Sequence, residues 1–230
     1  MTLHEKQDFF FTDADSGAVF SDLKFRECYF EGCAISISRN PALRSTIRNV
    51  KFIDCSQRGC AVYPAIVEDV LVDGFDTHGQ GVQVRGAVFN CVVLRGKIDR
   101  LMISSVVDVM GDEPEVQKAF DEANAEYYRH VEWALDISQA EFSELCIRGV
   151  PARLIRRDPE TQLVVTRAKA LEGKWRDLPF KQTLWTTSLK LFLRDNKPDI
   201  VLVAPKRHRK FQDYLTDLKL LQDAGVAEPD

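Results

Sequence analysis

The sequence lacks the long apolar run that a membrane-spanning helix needs, and it lacks a secretory signal. No stretch approaches the roughly 18 consecutive apolar residues of a transmembrane helix. The start, MTLHEKQDFFFTDAD, has acidic residues on both sides of a three-Phe run. It lacks the longer apolar core of a signal peptide. Six cysteines in such a chain predict reduced thiols in a cytoplasmic protein that has no membrane partner.

The short motifs of common nucleotide-binding and hydrolytic sites are also absent. The chain contains no G-x-x-x-x-G-K-[ST], no G-x-S-x-G and no H-E-x-x-H. These absences favour a protein without catalytic activity and without a cofactor. They do not exclude an enzyme, because a catalytic site assembled from distant residues needs no short motif.

Acidic and basic residues are unevenly distributed behind a net charge of −4. Residues 1–111 carry 12 basic and 14 acidic side chains, residues 112–149 carry 3 and 10, and residues 150–230 carry 16 and 11. A basic C-terminal part can attract an acidic partner or nucleic acid. Because its excess of basic residues is modest, nucleic acid is the less favoured partner.

Large apolar residues recur at every fifth position in VFSDLKFRECYFEGCAI, a spacing that fits neither a helix nor an alternating strand. A backbone that turns a corner every five residues would place one large residue inside each short side. Four sides would make a coil of about twenty residues, and stacked coils would form parallel strands. Short antiparallel strands with coincidental spacing are the alternative. The large residues are Phe20, Phe25, Phe30 and Ile35, and smaller ones precede them by two positions at Ala18, Leu23, Cys28 and Cys33.

The same pattern, a column of large residues and a column of smaller ones two positions before them, returns in ALDISQAEFSELCIRG. The large residues there are Ile137, Phe142 and Ile147. With these phased residues the chain resembles the pentapeptide-repeat proteins, although Asp or Asn, which that family favours before the large residue, is missing here. The resemblance covers part of residues 18–149 and implies a right-handed, four-sided parallel β-helix. The interruptions indicate degenerate repeats with looser coils, or a relative of the wider parallel β-helices. We expect the solenoid to extend over residues 1–149. It also implies a binding role, since some members of that family act by binding other proteins.

Two segments depart from the five-residue spacing. Residues 112–134 have apolar positions at helical spacing, which predicts one amphipathic helix inserted between coils. Residues 150–230 read as short strands and helices, which predicts an α/β cap over the end of the coil or a small domain of its own. The expected fold is therefore mainly β, a solenoid with a helical insertion and a C-terminal α/β segment.

The densest basic cluster lies where the last helix is expected to begin. Positive charge opposes the dipole of a helix at its start, so helix stability does not explain the cluster. Exposed backbone N–H groups together with these side chains would bind a phosphate or a carboxylate of a partner, and a solvated loop paired with nearby acids is the alternative. The cluster consists of Lys206, Arg207, His208, Arg209 and Lys210.

A glycine-rich stretch, DGFDTHGQGVQVRG, supplies the only catalytic candidates. A carboxylate, an imidazole and a guanidinium in one loop could perform acid–base chemistry on a carbohydrate, as in polysaccharide-cleaving β-helices. The alternative is a corner at which polar groups satisfy exposed backbone. The candidates are Asp73, Asp76, His78 and Arg85.

Four cysteines form two C-x4-C pairs, Cys28 with Cys33 and Cys55 with Cys60. Zinc ligands can have this spacing, but the tight C-x2-C pair is absent. Because Cys28 and Cys33 occupy the small-residue column, packing is favoured over metal binding.

These observations predict a non-catalytic protein that binds a protein partner on a rigid solenoid surface, as an inhibitor, an immunity protein or an adaptor. A carbohydrate-active β-helix enzyme and an anion- or nucleic-acid-binding protein are the alternatives. A homodimer through an end or a side of the solenoid is a further expectation.

Overall fold

A computed structural model describes residues 1–35, 38–107, 113–181, 183–195 and 197–229. The fold is mainly β, with parallel strands in a curled half-barrel sheet and a few helices. The expectation of a mainly β fold with parallel strands is thereby confirmed, whereas the right-handed solenoid stays a prediction.

The strands run from the first residues to the C-terminal segment, and the helices follow in the second half. The strands are β1 Thr2–Glu5, β2 Asp8–Phe10, β3 Asp13–Ala14, β4 Val19–Arg26, β5 Tyr29–Glu31, β6 Ala34–Ile35, β7 Ser45–Arg58, β8 Ala61–Val62, β9 Ala65–Asp76, β10 Val82–Arg85, β11 Val88–Asn90, β12 Val92–Ser104, β13 Leu135–Arg148, β14 Ile155–Arg156, β15 Gln162–Thr166 and β16 Asp199–Val203. The helices are α1 Pro114–Tyr128, α2 Arg167–Glu172, α3 Trp185–Arg194 and α4 Phe211–Asp223.

The parallel strands pair in successive levels. The first level contains β1 to β3, the second β4 to β6, the third β7 and β8, the fourth β9 and β10, the fifth β11 and β12, and the sixth β13. Phe25 lies opposite Phe52, and Phe52 lies opposite Val72. The partner residue is thus about 20 to 27 positions further along the chain at each of these steps, close to the period of repeat architectures.

Left-handed backbone conformations mark where the chain changes direction. Asp22, Glu27 and Gly32 have φ values of 59°, 51° and 60°, so positive φ recurs at every fifth position. The later levels repeat the pattern. The corresponding residues there are Asn49, Asp54 and Gly59, then Asp69, Gly74 and Gly79, then Gly86, Cys91 and Gly96. A single left-handed residue bends an extended chain, so the five-residue spacing of the inward side chains follows from these corners.

The inward side chains of neighbouring levels stack on each other. The ring of Phe25 lies between those of His4 and Phe52, with ring centroids 5.1 and 5.2 Å away. Phe9 stacks on Phe30 with centroids 5.0 Å apart. Each level therefore covers the apolar row of the level before it.

Helix α1 covers one side of the sheet. The Phe120 ring is fully buried, with the guanidinium of Arg44 4.9 Å from its centroid. Tyr127 Oη donates to Glu68 Oε1 at 3.0 Å, and Gln117 Nε2 donates to the carbonyl of Ser105 at 3.1 Å. The helix lies inside the predicted insertion at 112–134, of which residue 112 falls outside the described residues.

The C-terminal segment packs against the sixth level. β16 pairs antiparallel with β15 and meets β13 where Val201 lies opposite Ile147. Gln162 Nε2 donates to the carbonyl of Ile137 at 3.0 Å, and the backbone N–H of Arg207 donates to the carbonyl of Phe142 at 2.9 Å. The segment also has its own apolar cluster, built around Trp175, Leu189 and Phe192 among others. It therefore covers the edge of β13 and satisfies backbone groups that the edge would otherwise expose.

Candidate functional site

The predicted basic cluster forms a turn in front of α4, because that helix begins only at Phe211. Lys206 Nζ is 2.9 Å from Asp158 Oδ2, and the backbone of Arg207 is held on β13. The imidazole of His208 packs edge-on against Tyr214, with ring centroids 5.2 Å apart. These contacts tie the turn to the sheet and to α4, and they leave Arg207 and Arg209 exposed.

The Lys206–Asp158 pair changes the acidity of its carboxyl group. Burial of Asp158 alone would raise its pKa, but donors from Lys206, the backbone of Glu160 and Thr161 outweigh that effect and hold the pKa below its ordinary value. The pair therefore fixes the turn in one place, so part of the predicted anion site is engaged within the chain itself.

The four catalytic candidates do not converge on one groove. Asp73 Oδ2 accepts a bond of 2.7 Å from Arg95, and Arg85 donates to Gln83 at 3.3 Å. Asp76 and His78 do meet, since Asp76 Oδ1 accepts from the backbone N–H of His78 at 2.7 Å. This bond is the one expected of a corner that satisfies its own backbone. A catalytic role for Asp73, Asp76, His78 and Arg85 therefore stays a prediction.

Each of the four candidate cysteines lies next to a cysteine of the neighbouring level, and not next to the one five residues away in the chain. The N–H of Ser56 donates to the carbonyl of Cys28, which places Cys28 beside Cys55. Likewise, the N–H of Cys33 donates to Cys60 Sγ at 3.4 Å. Burial raises the pKa of the Cys55 thiol to about 11, which disfavours the thiolate that a metal requires. Within the described residues, no group of three or more His, Cys, Asp or Glu side chains is placed to hold a metal ion.

The outer edge of the first level is an open edge of the sheet. β1, β2 and β3 each pair with one strand of the second level, and no other strand in the described parts of the chain pairs with them. Leu3, Phe10 and Phe11 belong to the first level and have 51%, 51% and 78% of their surface exposed. We call these three outer strand edges the N-terminal edge. It offers unpaired backbone groups beside exposed apolar side chains.

The N-terminal edge is also acidic. Residues 1–15 contain four carboxylates and one lysine. Arg26 Nη1 lies 3.2 Å from Glu5 Oε1, and Lys6 Nζ lies 3.6 Å from Glu27 Oε2. Asp8 and Asp13 form no ion pair with any residue that the structure describes. The charge available to a partner at this edge is therefore negative.

A cavity of about 480 Å³ lies inside the curled sheet. Its lining is almost entirely apolar and includes residues of every level. The inward residues that line it include His4, Phe25, Phe52, Val72, Leu94 and Leu135. An apolar cavity of this kind holds water poorly, because water needs two or more polar partners.

The cavity is partly open, and the inward rings of Phe25 and Phe52 that line it are only partly buried. An apolar group that filled the cavity would remove this apolar surface from water, which is favourable by roughly 25 cal/mol per Å².

A second depression, which we call the cationic cleft, lies on the C-terminal segment. It is lined by Trp175, Arg176, Thr186, Lys190, Leu193 and Arg194. Its cations are not matched by acids, since the lining contains no carboxylate among the described residues. Lys190 and Arg194 are four residues apart on α3, a like-charge spacing that destabilises a helix by a few tenths of a kcal/mol. Arg194 lies in the last turn of α3, where a cation interacts favourably with the helix dipole. Helix stability therefore accounts for Arg194 and leaves Lys190 unexplained.

Sequence reasoning missed both the N-terminal edge and the cationic cleft. The sequence shows the three-Phe run at 9–11, but no neighbouring residue indicates which of the three rings points into the sheet. The spacing of Lys190 and Arg194 places both side chains on the polar face of the predicted helix. That spacing is the sequence signal for the cationic cleft. No signal in the sequence indicated the cavity.

No known protein family matches the chain, and no curated protein sequence matches it. None of the helices in the part of the chain that the structure describes is long and apolar enough to cross a membrane.

Proposed function

We propose that this chain is a non-catalytic binding protein that engages a protein partner at the N-terminal edge. In this proposal residues 1–149 form a right-handed parallel β-helix of the pentapeptide-repeat kind, and residues 150–230 cap its last coil. The parallel register and the left-handed corners at every fifth position support that architecture. A repeat architecture of this kind gives a rigid surface whose stability comes from contacts between neighbouring coils.

The contrast between the two ends of the sheet carries the proposal. At the sixth level, Gln162 and the backbone of Arg207 bond to carbonyls of β13. At the first level, the outer backbone groups of β1, β2 and β3 have no strand partner in the described residues. Open strand edges pair readily with a strand from another chain, and proteins normally protect them.

The side chains of the N-terminal edge define the partner's chemistry. Exposed Leu3 on β1 and exposed Phe10 on β2 would each contribute apolar contact to a strand added beside them. Asp8 and Asp13 would attract basic side chains and repel a second copy of the same acidic edge. The partner is therefore a protein with an exposed β-strand that carries lysine or arginine.

Site-specific photo-crosslinking in the native cell tests this proposal. A photo-reactive amino acid replaces Phe10 in one variant and Lys219, on α4, in the control. The proposal predicts a discrete adduct with a second protein from position 10, absent from position 219. The recovered protein must then bind the purified chain with an affinity that Asp8→Lys with Asp13→Lys lowers at least tenfold. An adduct between two copies of this chain, or equal adducts from both positions, would contradict it.

Anion binding in the cationic cleft is the second candidate function. Arg176, Lys190 and Arg194 give the cleft three positive charges, and this placement favours a phosphate-bearing ligand more than the turn at 206–210 does. The test is a titration with a short single-stranded oligonucleotide at several salt concentrations. Binding that weakens with salt and with Lys190→Ala, but not with Lys219→Ala, supports the candidate. Binding that neither change affects contradicts it.

A further inference from the structure

The cavity inside the curled sheet extends through all six levels. Lining residues belong to strands from β1, which contributes His4, to β13, which contributes Leu135. Adjacent strands lie roughly 4.8 Å apart, so five steps between levels span about 24 Å. The cavity of about 480 Å³ is therefore elongated along the stack of levels.

This shape selects the kind of ligand. An elongated apolar space is best filled by an elongated apolar molecule, because such a molecule contacts the lining of several levels at once. An extended hydrocarbon chain meets this requirement, whereas a compact ring system would contact only some of the levels. The lining supplies almost no polar atoms, so it would recognise a chain by apolar contact alone.

The two ends of the cavity differ in what covers them. At the sixth level the C-terminal segment packs against β13, and the inward residues Leu135 and Phe142 are 0% and 1% exposed. At the first level no described strand covers the outer edges of β1, β2 and β3, and the inward residues His4 and Phe9 are only partly buried. A ligand would therefore enter past His4 at the first level.

We propose that the interior of the sheet is a binding site for one linear alkyl or acyl chain, which enters tail first from the first level. The chain would cover apolar side chains that are otherwise partly exposed, in a space that offers water few polar partners. This proposal does not rest on the protein partner, because the ligand contacts the inner face of the sheet. A partner bound at the N-terminal edge would, however, lie at the end of the cavity through which the ligand enters.

Isothermal titration calorimetry with 1-dodecanol tests the proposal. Val62→Phe and Val72→Phe, made separately, each place a larger ring in the cavity from a different level. The matched control is Leu71→Phe, which adds the same ring one residue from Val72 at a position that does not line the cavity. We expect each cavity variant to weaken dodecanol binding at least tenfold and to unfold at the same temperature as the wild type or higher. The control should bind as the wild type does.

Several results would overturn the proposal. They are no binding to the wild type, equal binding by the cavity variants and the wild type, or failure of both cavity variants to fold. A second titration with phosphatidylcholine vesicles distinguishes the sources of the chain. Binding to dodecanol alone assigns a free amphiphile, and binding to both assigns a membrane lipid. Asp8→Lys with Asp13→Lys should leave dodecanol binding intact, which separates this site from the partner site.

Discussion

Phe25 and Phe52 stack face to face on adjacent parallel strands, with ring centroids 5.2 Å apart and ring planes 12° apart. Each ring is the large inward residue of its five-residue side. The contact therefore joins a local spacing in the sequence to a long-range pairing in the sheet. It also lies on the wall of the cavity, where the two rings are only partly buried.

The first prediction compares inward phenylalanines at the two ends of the sheet. Phe142→Ala should lower the free energy of unfolding by about 3–5 kcal/mol, because that ring is fully buried. Phe52→Ala should cost clearly less, about 1–3 kcal/mol, because the ring already borders a cavity. Urea unfolding measures both values. Equal losses would mean that the interior is packed uniformly and that the cavity is absent in solution.

The second prediction concerns the corners. Cys91 has a φ of 56°, which costs a residue with a side chain roughly 1–2 kcal/mol relative to glycine. Cys91→Gly should therefore stabilise the protein by about 0.5–1 kcal/mol, after its entropic cost in the unfolded chain. Cys91→Val should destabilise it, because a β-branched side chain tolerates this conformation poorly. If valine is accepted as well as glycine, the backbone at this corner is not left-handed.

The third prediction is a pH dependence. The folded protein holds the pKa of Asp158 below its ordinary value of about 3.9, so the ionised carboxylate stabilises the fold above that pH. This stabilisation is lost as the pH falls through the folded pKa. The difference in unfolding free energy between wild type and Asp158→Asn should thus be largest near pH 6 and should narrow below about pH 4. A difference that stays constant or widens on acidification would contradict the role assigned to the Lys206 pair.

The inward columns were predictable from the sequence, whereas the backbone corners were only partly so. The spacing of Phe20, Phe25 and Phe30 indicates which side chains share a face, because each five-residue side presents one large residue. Glycine marks some corners, but Asp22 and Asn49 adopt the same left-handed conformation. Non-glycine residues rarely do so, and their side chains give no warning of it.

The interior volume and the uncovered edge could not be predicted from the sequence. The volume of a cavity is the small difference between the volume that a coil encloses and the volume of the side chains inside it. That difference depends on how side chains from several levels meet in the interior, which no local spacing in the sequence records. The exposure of Phe10 depends on what covers the first level, and that information lies in tertiary structure. The position of α1 was predictable because its apolar residues keep a helical spacing.

The most direct test of the account measures the affinity of the crosslinked partner for three forms of the purified chain at low salt. They are the wild type, Asp8→Lys with Asp13→Lys at the N-terminal edge, and Asp223→Lys at the end of α4 as a control for added positive charge. We predict that the edge variant binds at least tenfold more weakly, while the control stays within twofold of the wild type. Equal binding by all three forms, or an equal loss in the edge variant and the control, would contradict the assignment of the N-terminal edge as the binding surface.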